Sequence, residues 1–172
     1  MINFNLYIEN EFPDWRPDEK VIIKNIQEIF KYYMTIPDIA DNSCLKGYEF
    51  DTISFDFLFC NSEKTHLINK DYRGKDYPAD IITFAVFADS PQEEKFVLDF
   101  EINLGEIIIA LDKIMDEAEK KEIDKECELY FLLSHGILHL LGFDHQTVEE
   151  FEFVVKHQKG ALANIGIAYD KI

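Results

Sequence analysis

Leu129-Tyr130-Phe131-Leu132-Leu133-Ser134-His135-Gly136-Ile137-Leu138-His139-Leu140-Leu141-Gly142-Phe143-Asp144-His145 is an apolar run that carries three of the chain's five histidines. Residues 129–141, apolar apart from Tyr130, Ser134, Gly136 and two histidines, read as a buried helix. His135 and His139, four residues apart, share one face of it. Gly142 follows as the left-handed residue on which helices end without strain, and the chain doubles back. Three residues later His145 comes within reach of the first two. Three imidazoles with a fourth position open form the ligand set of catalytic rather than structural zinc. A lone histidine at a helix end is an ordinary polar residue, but three buried imidazoles without a partner would be costly. Zinc suits imidazole-only ligation, and copper, nickel or iron can take the same nitrogens.

Strand and helix patterns surround this segment. Ile2, Phe4, Leu6 and Ile8 alternate with Asn3, Asn5 and Tyr7 as in a half-buried strand, and Ile53, Phe55, Phe57 and Phe59 do the same. Between them Pro17 and Asp18 open a helix with Ile22, Ile23, Ile26, Ile29, Phe30 and Tyr33 at helical spacing. Ser62 can cap a short helix to about Asp71. Residues 81–87 and 96–100 read as strands about a loop containing Pro91, followed by a strand over 105–110. Helices are expected over 111–121, from about 125 to 141, and from Thr147 to about Gly160 with Phe151, Val154 and Val155 inward. The mixture predicts an α+β, mixed α/β layered fold: one sheet, some of its pairing antiparallel, covered by helices, with the histidine helix at the centre.

At 172 residues and 47% hydrophobic content the chain supports one core, and residues 1–172 read as a single domain. The start, Met1-Ile2-Asn3-Phe4-Asn5-Leu6-Tyr7-Ile8, has no basic or apolar signal character, and no apolar run reaches the roughly 18 residues of a membrane span. Cys44, Cys60 and Cys127 are odd in number and widely spaced, which suits free thiols in a reducing compartment. A cytoplasmic location is expected. The net charge of −17 argues against coating nucleic acid by bulk electrostatics. Charge is uneven, however: residues 64–75 hold Lys64, Lys70, Arg73 and Lys75 against Asp71 alone, whereas 89–128 hold fourteen acids and five lysines. A basic spot on an acidic body can bind a short phosphate chain with modest, salt-sensitive affinity.

The histidine spacing also matches the metzincin proteases, in which a glutamate after the first histidine is the general base. Here that place is Gly136. Asp144 is a substitute candidate, although an aspartate in a turn more often serves local backbone hydrogen bonds.

The block from His135 to His145 resembles the signature of the YbeY family of bacterial metal-dependent endoribonucleases. Two further blocks are similar to that family in the same order: 67–84, with Asn69, Tyr72-Arg73 and Asp80 before an apolar strand, and 104–109, Leu104-Gly105-Glu106-Ile107-Ile108-Ile109. Ala79, Thr83, Glu106 and Phe143 stand where the family more often has threonine, serine, aspartate and tyrosine, and Ala79 and Phe143 each lack a hydroxyl. The resemblance implies a zinc-dependent endoribonuclease specific for single-stranded RNA. It implies one ion per chain on His135, His139 and His145, and Arg73 as a catalytic phosphate clamp. It further implies ribosomal RNA as substrate, a role in maturing the small-subunit 3′ end and in ribosome quality control, and the small ribosomal subunit as partner. Asp80 can orient Arg73 or a histidine, or cap the turn before its strand. His66 and His157 lack ligand spacing and read as helix-surface residues. The competing readings are a ribosome-assembly binding module with a structural zinc and a metallopeptidase. Nothing in the pattern specifies an oligomeric state.

Overall fold

The computed structural model describes residues 1–170. In chain order they form β1 (Asn3–Asn10), α1 (Glu19–Met34), α2 (Pro37–Ala40), β2 (Thr52–Cys60), α3 (Ser62–Arg73), β3 (Ile81–Phe84), α4 (Val86–Asp89), β4 (Glu101–Ala110), α5 (Leu111–Lys121), α6 (Lys125–Leu140) and α7 (Val148–Asn164). The two alternating runs lie in β1 and β2. α1 starts at Asp18, whose carboxylate accepts from the amides of Lys20 and Val21, and buries Ile22, Ile26, Ile29, Phe30 and Tyr33. None of the described helices is long and apolar enough to cross a membrane.

The sheet has the order β1-β2-β4-β3, with β1, β2 and β4 parallel and β3 antiparallel to β4 at one edge. Alternation sends Phe55, Phe57, Ile107 and Ile109 to one face, where they form the main core with α1, α6 and α7. Leu58, Cys60, Ile82 and Ile108 turn to the other, where Ile68 of α3 and Ala79 pack against them. This is the expected α+β arrangement. α6 is the central helix, and Gly136 sets how closely it meets the sheet. A Cβ there would lie 2.9 Å from Ile107 Cδ1 and 3.1 Å from Ile81 Cδ1.

Several elements differ from the sequence expectation. The edge strand stops at Phe84 rather than continuing to Phe87, and Val86–Asp89 is a helical turn. At this point Gly105, with a φ of +128°, passes so close to β3 that a Cβ would lie 1.8 Å from the Phe84 carbonyl oxygen. Residues 96–100 are not a strand. Asp99 and Phe100 both take positive φ, 51° and 61°, and Leu98 pairs back with Glu101 in a tight turn. The strand expected at 105–110 begins earlier, at Glu101. α3 is capped by Asn61, not Ser62, because the Asn61 side chain accepts the Lys64 amide, and it runs on to Arg73. Phe151 is exposed rather than inward, while Val154 on the same helix is buried.

Candidate metal centre

His135 and His139 stand on the last two turns of α6. The helix then ends in a left-handed turn: Gly142 has φ +99°, its amide donates to His139 O at 3.0 Å, and the Phe143 amide donates to Leu138 O at 3.0 Å. Beyond it, Asp144 Oδ1 accepts from the His145 amide and Oδ2 from the Gln146 side chain, both at 2.9 Å. Thr147 and Glu150 close a capping box that starts α7. The loop is held at both ends. His145 is thereby brought back over α6, its ring centroid 4.9 Å from that of His135 and 5.2 Å from that of His139.

One nitrogen from each ring lies within 4.8 Å of the other two, the one group of this kind among the described residues. His135 Nε2 and His139 Nε2 are 3.0 Å apart, close to the ~3.3 Å that two nitrogens take around a tetrahedral ion with bonds of about 2.0–2.1 Å. Burial, and then the neighbouring His139 and His145 charges, push His135 down to about 4. Burial and then His145 lower His139 as well. Neutral rings with free lone pairs are the form that binds a metal ion. The donor set fits a borderline ion of the zinc class, and the exposed His145 side leaves it open to one flank.

That flank is a cleft of about 790 Å³ whose walls include Arg73, Asp80, Thr83 and Phe84 with the three histidines. Arg73, the last residue of α3, is exposed, and among the described residues no carboxylate lies within ion-pair distance of it. The residues singled out from the sequence are therefore together: three imidazoles and one guanidinium on one cleft. Asp80 shares the cleft, but its carboxylate accepts the Ile81 amide at 2.7 Å, the turn-capping role. Asp144 is likewise engaged with its own loop.

Two expectations change, and one further residue joins the site. Lys64, counted with the basic stretch, pairs with Glu11 instead. His157, expected on the surface, is buried with its ring against Phe153 at 4.4 Å. Gln158, not singled out from the sequence, is buried with its Oε1 3.4 Å from His135 Nδ1. The sequence carries no clear signal for it, because the weak amphipathicity of α7 leaves its buried face, with Val154, Ala161 and Leu162, undetermined. Gly136 also weighs on the peptidase reading. A side chain there would run into Ile107 and Ile81 in the core, so the position has no room for a glutamate base.

Residues 12–166 match the family described as endoribonuclease YbeY. The chain belongs to that family. Its YbeY relatives include a Bacillus licheniformis protein 44% identical over 109 residues, which cover 63% of this chain and 69% of that one. A Ligilactobacillus salivarius protein is 33% identical over 158 residues, 88% of this chain and 91% of that one. One from Levilactobacillus brevis is 32% identical over 171 residues, 95% of this chain and 98% of that one. All three bear the name endoribonuclease YbeY. A solution structure of a Thermotoga maritima protein superposes with a TM-score of 0.51 at 21% identity, covering 96% of this chain and 91% of that one, and so shares the fold.

Proposed function

We propose that this YbeY-family chain is a zinc-dependent endoribonuclease that cuts single-stranded RNA, with residues 1–172 acting as one domain. The observation that carries the proposal is the placing of Arg73, free of any carboxylate among the described residues, on the same cleft as three convergent imidazoles. His135, His139 and His145 would hold one ion. When bound, that ion supplies Lewis acidity toward a phosphoryl oxygen and toward water. Arg73 presents two parallel donors to the scissile phosphate and opposes the negative charge that grows on it. Tyr72 beside it is 75% exposed and stands edge-on to Phe84 of the cleft, with ring centroids 6.0 Å apart. An unpaired base can stack on such a ring, whereas a paired base cannot, which supports single-strand preference.

The resemblance of the histidine block extends this reading to ribosomal RNA as the substrate, to maturation of the small-subunit 3′ end and ribosome quality control, and to the small ribosomal subunit as partner in the cytoplasm. A structural zinc would have a fourth protein ligand closing the site, and the open flank of the three histidines speaks against it. The test offers purified protein matched single-stranded RNA, duplex RNA and casein, with and without a chelator. Single-stranded RNA alone should be cut, and only without chelator. Cleavage that survives metal removal, or cleavage of casein, would overturn the proposal.

A further inference from the structure

We infer that Gln158 is a positioning residue that fixes the ring form of His135, holding its Nε2 lone pair on the metal centre before any ion arrives. The inference rests on the reading of the three histidines as a metal site and concerns a residue outside the ligand set. Gln158 sits on α7, 1% exposed, where its amide makes three contacts. Nε2 donates to the Phe131 carbonyl at 2.9 Å and to Ser134 Oγ at 3.3 Å. A carbonyl can only accept, so the end of the amide facing Phe131 must be the nitrogen. Ser134 agrees with this assignment. Its hydroxyl donates to Phe131 O at 2.7 Å, which leaves its oxygen lone pairs for the Gln158 amide.

With both amide hydrogens engaged on α6, Oε1 is turned to His135 Nδ1 at 3.4 Å. An amide oxygen has no proton to give, so Nδ1 must carry one. A neutral imidazole has a single N–H. Nε2 therefore keeps the lone pair, and Nε2 is the atom that faces His139 Nε2 at 3.0 Å. The alternative ring form would put a lone pair against Oε1 and an N–H into the site. Gln158 thus acts through His135, as outer partners of metal-bound histidines do. The same side chain ties α7 to α6, so the ligand's ring form is coupled to the seating of the last helix.

The test combines zinc affinity with the ring form read directly. In metal-free wild-type protein, ¹⁵N–¹H correlation of the imidazoles should show His135 protonated at Nδ1. Replacing Gln158→Met keeps the volume and removes the acceptor; Nδ1 protonation should give way to a mixture, and zinc affinity, measured by chelator competition, should fall 10- to 100-fold. Gln158→Glu restores an acceptor for Nδ1 while losing both donors to α6, so it should melt lower than wild type yet bind zinc more tightly than Gln158→Met. A merely structural glutamine would make the Glu variant the worse of the two for zinc and leave the ring form unmoved. Nε2 protonation at His135 in the wild-type protein would overturn the inference without any variant. Failure of wild-type protein to bind zinc at all would instead overturn the metal-site reading beneath it.

Discussion

His135 Nε2 and His139 Nε2 face each other at 3.0 Å across one turn of α6. Bare ring nitrogens at that distance either share one proton or share one cation, and the third ring above them favours the cation. The protein should bind about one equivalent of zinc, and zinc should raise its melting temperature because the ion binds the folded chain alone; at a thousandfold excess over Kd the gain is about 4 kcal/mol. His139→Ala should retain less than a tenth of an equivalent and lose the thermal response. Elemental analysis and melting curves check both, and a wild-type metal content in that variant would mean another ligand set.

Acid should destabilise the metal-free protein in a definite window. His135 is pushed from 6.5 down to about 4 by burial, and His139 and His157 shift the same way for the same first cause. Their folded values lie below the unfolded ones, so the unfolded chain takes up protons first as pH falls. Stability is full above about pH 6.5 and is lost from there down to about pH 4, by on the order of 3 kcal/mol for His135 alone. Denaturant titrations at pH 7 and pH 5 on chelator-treated protein should show this fall, and His135→Ala should flatten it.

Two glycines should rank in a fixed order. Gly105→Ala puts a Cβ against the backbone oxygen of Phe84 at 1.8 Å in a left-handed conformation, and neither strand can move without dragging the cleft wall. The cost should reach roughly 3 kcal/mol or more. Gly136→Ala meets only side-chain ends, Ile107 Cδ1 at 2.9 Å and Ile81 Cδ1 at 3.1 Å, and should cost less. Equal losses in urea unfolding would show that β3 is not held by this approach.

RNA affinity should fall with salt along a shallow slope. Lys64 is held by Glu11, which leaves Lys70, Arg73 and Lys75 on the basic stretch of a chain with net charge −17. Three phosphate contacts on a single strand give a slope near −2 in log association constant against log salt. A slope of order ten would reveal a long basic track elsewhere.

How much of this could be read in advance depended on the distance along the chain. The histidine block encodes its own geometry, since helical register and a glycine turn act within eleven residues, and the ligand cluster followed from spacing. Arg73 lies some sixty residues earlier and meets the histidines only through the sheet; resemblance, not periodicity, marked it. Residues 96–100 carry strand-like side chains, but two left-handed residues, Asp99 and Phe100, fold them into a turn, and no apolar pattern signals positive φ at an aspartate and a phenylalanine. The exposure of Phe151 and the burial of His157 and Gln158 share one reason: which face of α7 is buried depends on how it packs against α6 and α1, which its weakly amphipathic sequence does not specify.

Arg73 offers the sharpest separation of chemistry from folding. It is exposed and unpaired among the described residues, so Arg73→Ala removes no buried partner and should shift stability by no more than about 0.5 kcal/mol, with zinc content unchanged. It lines the same cleft as the three histidines, within which a phosphate could meet both the guanidinium and the metal centre. Loss of a preorganised donor to developing charge typically lowers kcat by on the order of 10² to 10³, and the alanine variant should fall in that range. Arg73→Lys keeps the charge but presents a single point rather than a fork, so it should recover only part of the rate. The expected order is wild type, lysine, alanine, at equal zinc and equal melting temperature. Cleavage of single-stranded RNA by Arg73→Ala at the wild-type rate would remove the arginine from the mechanism and leave the three histidines as the whole of the candidate site.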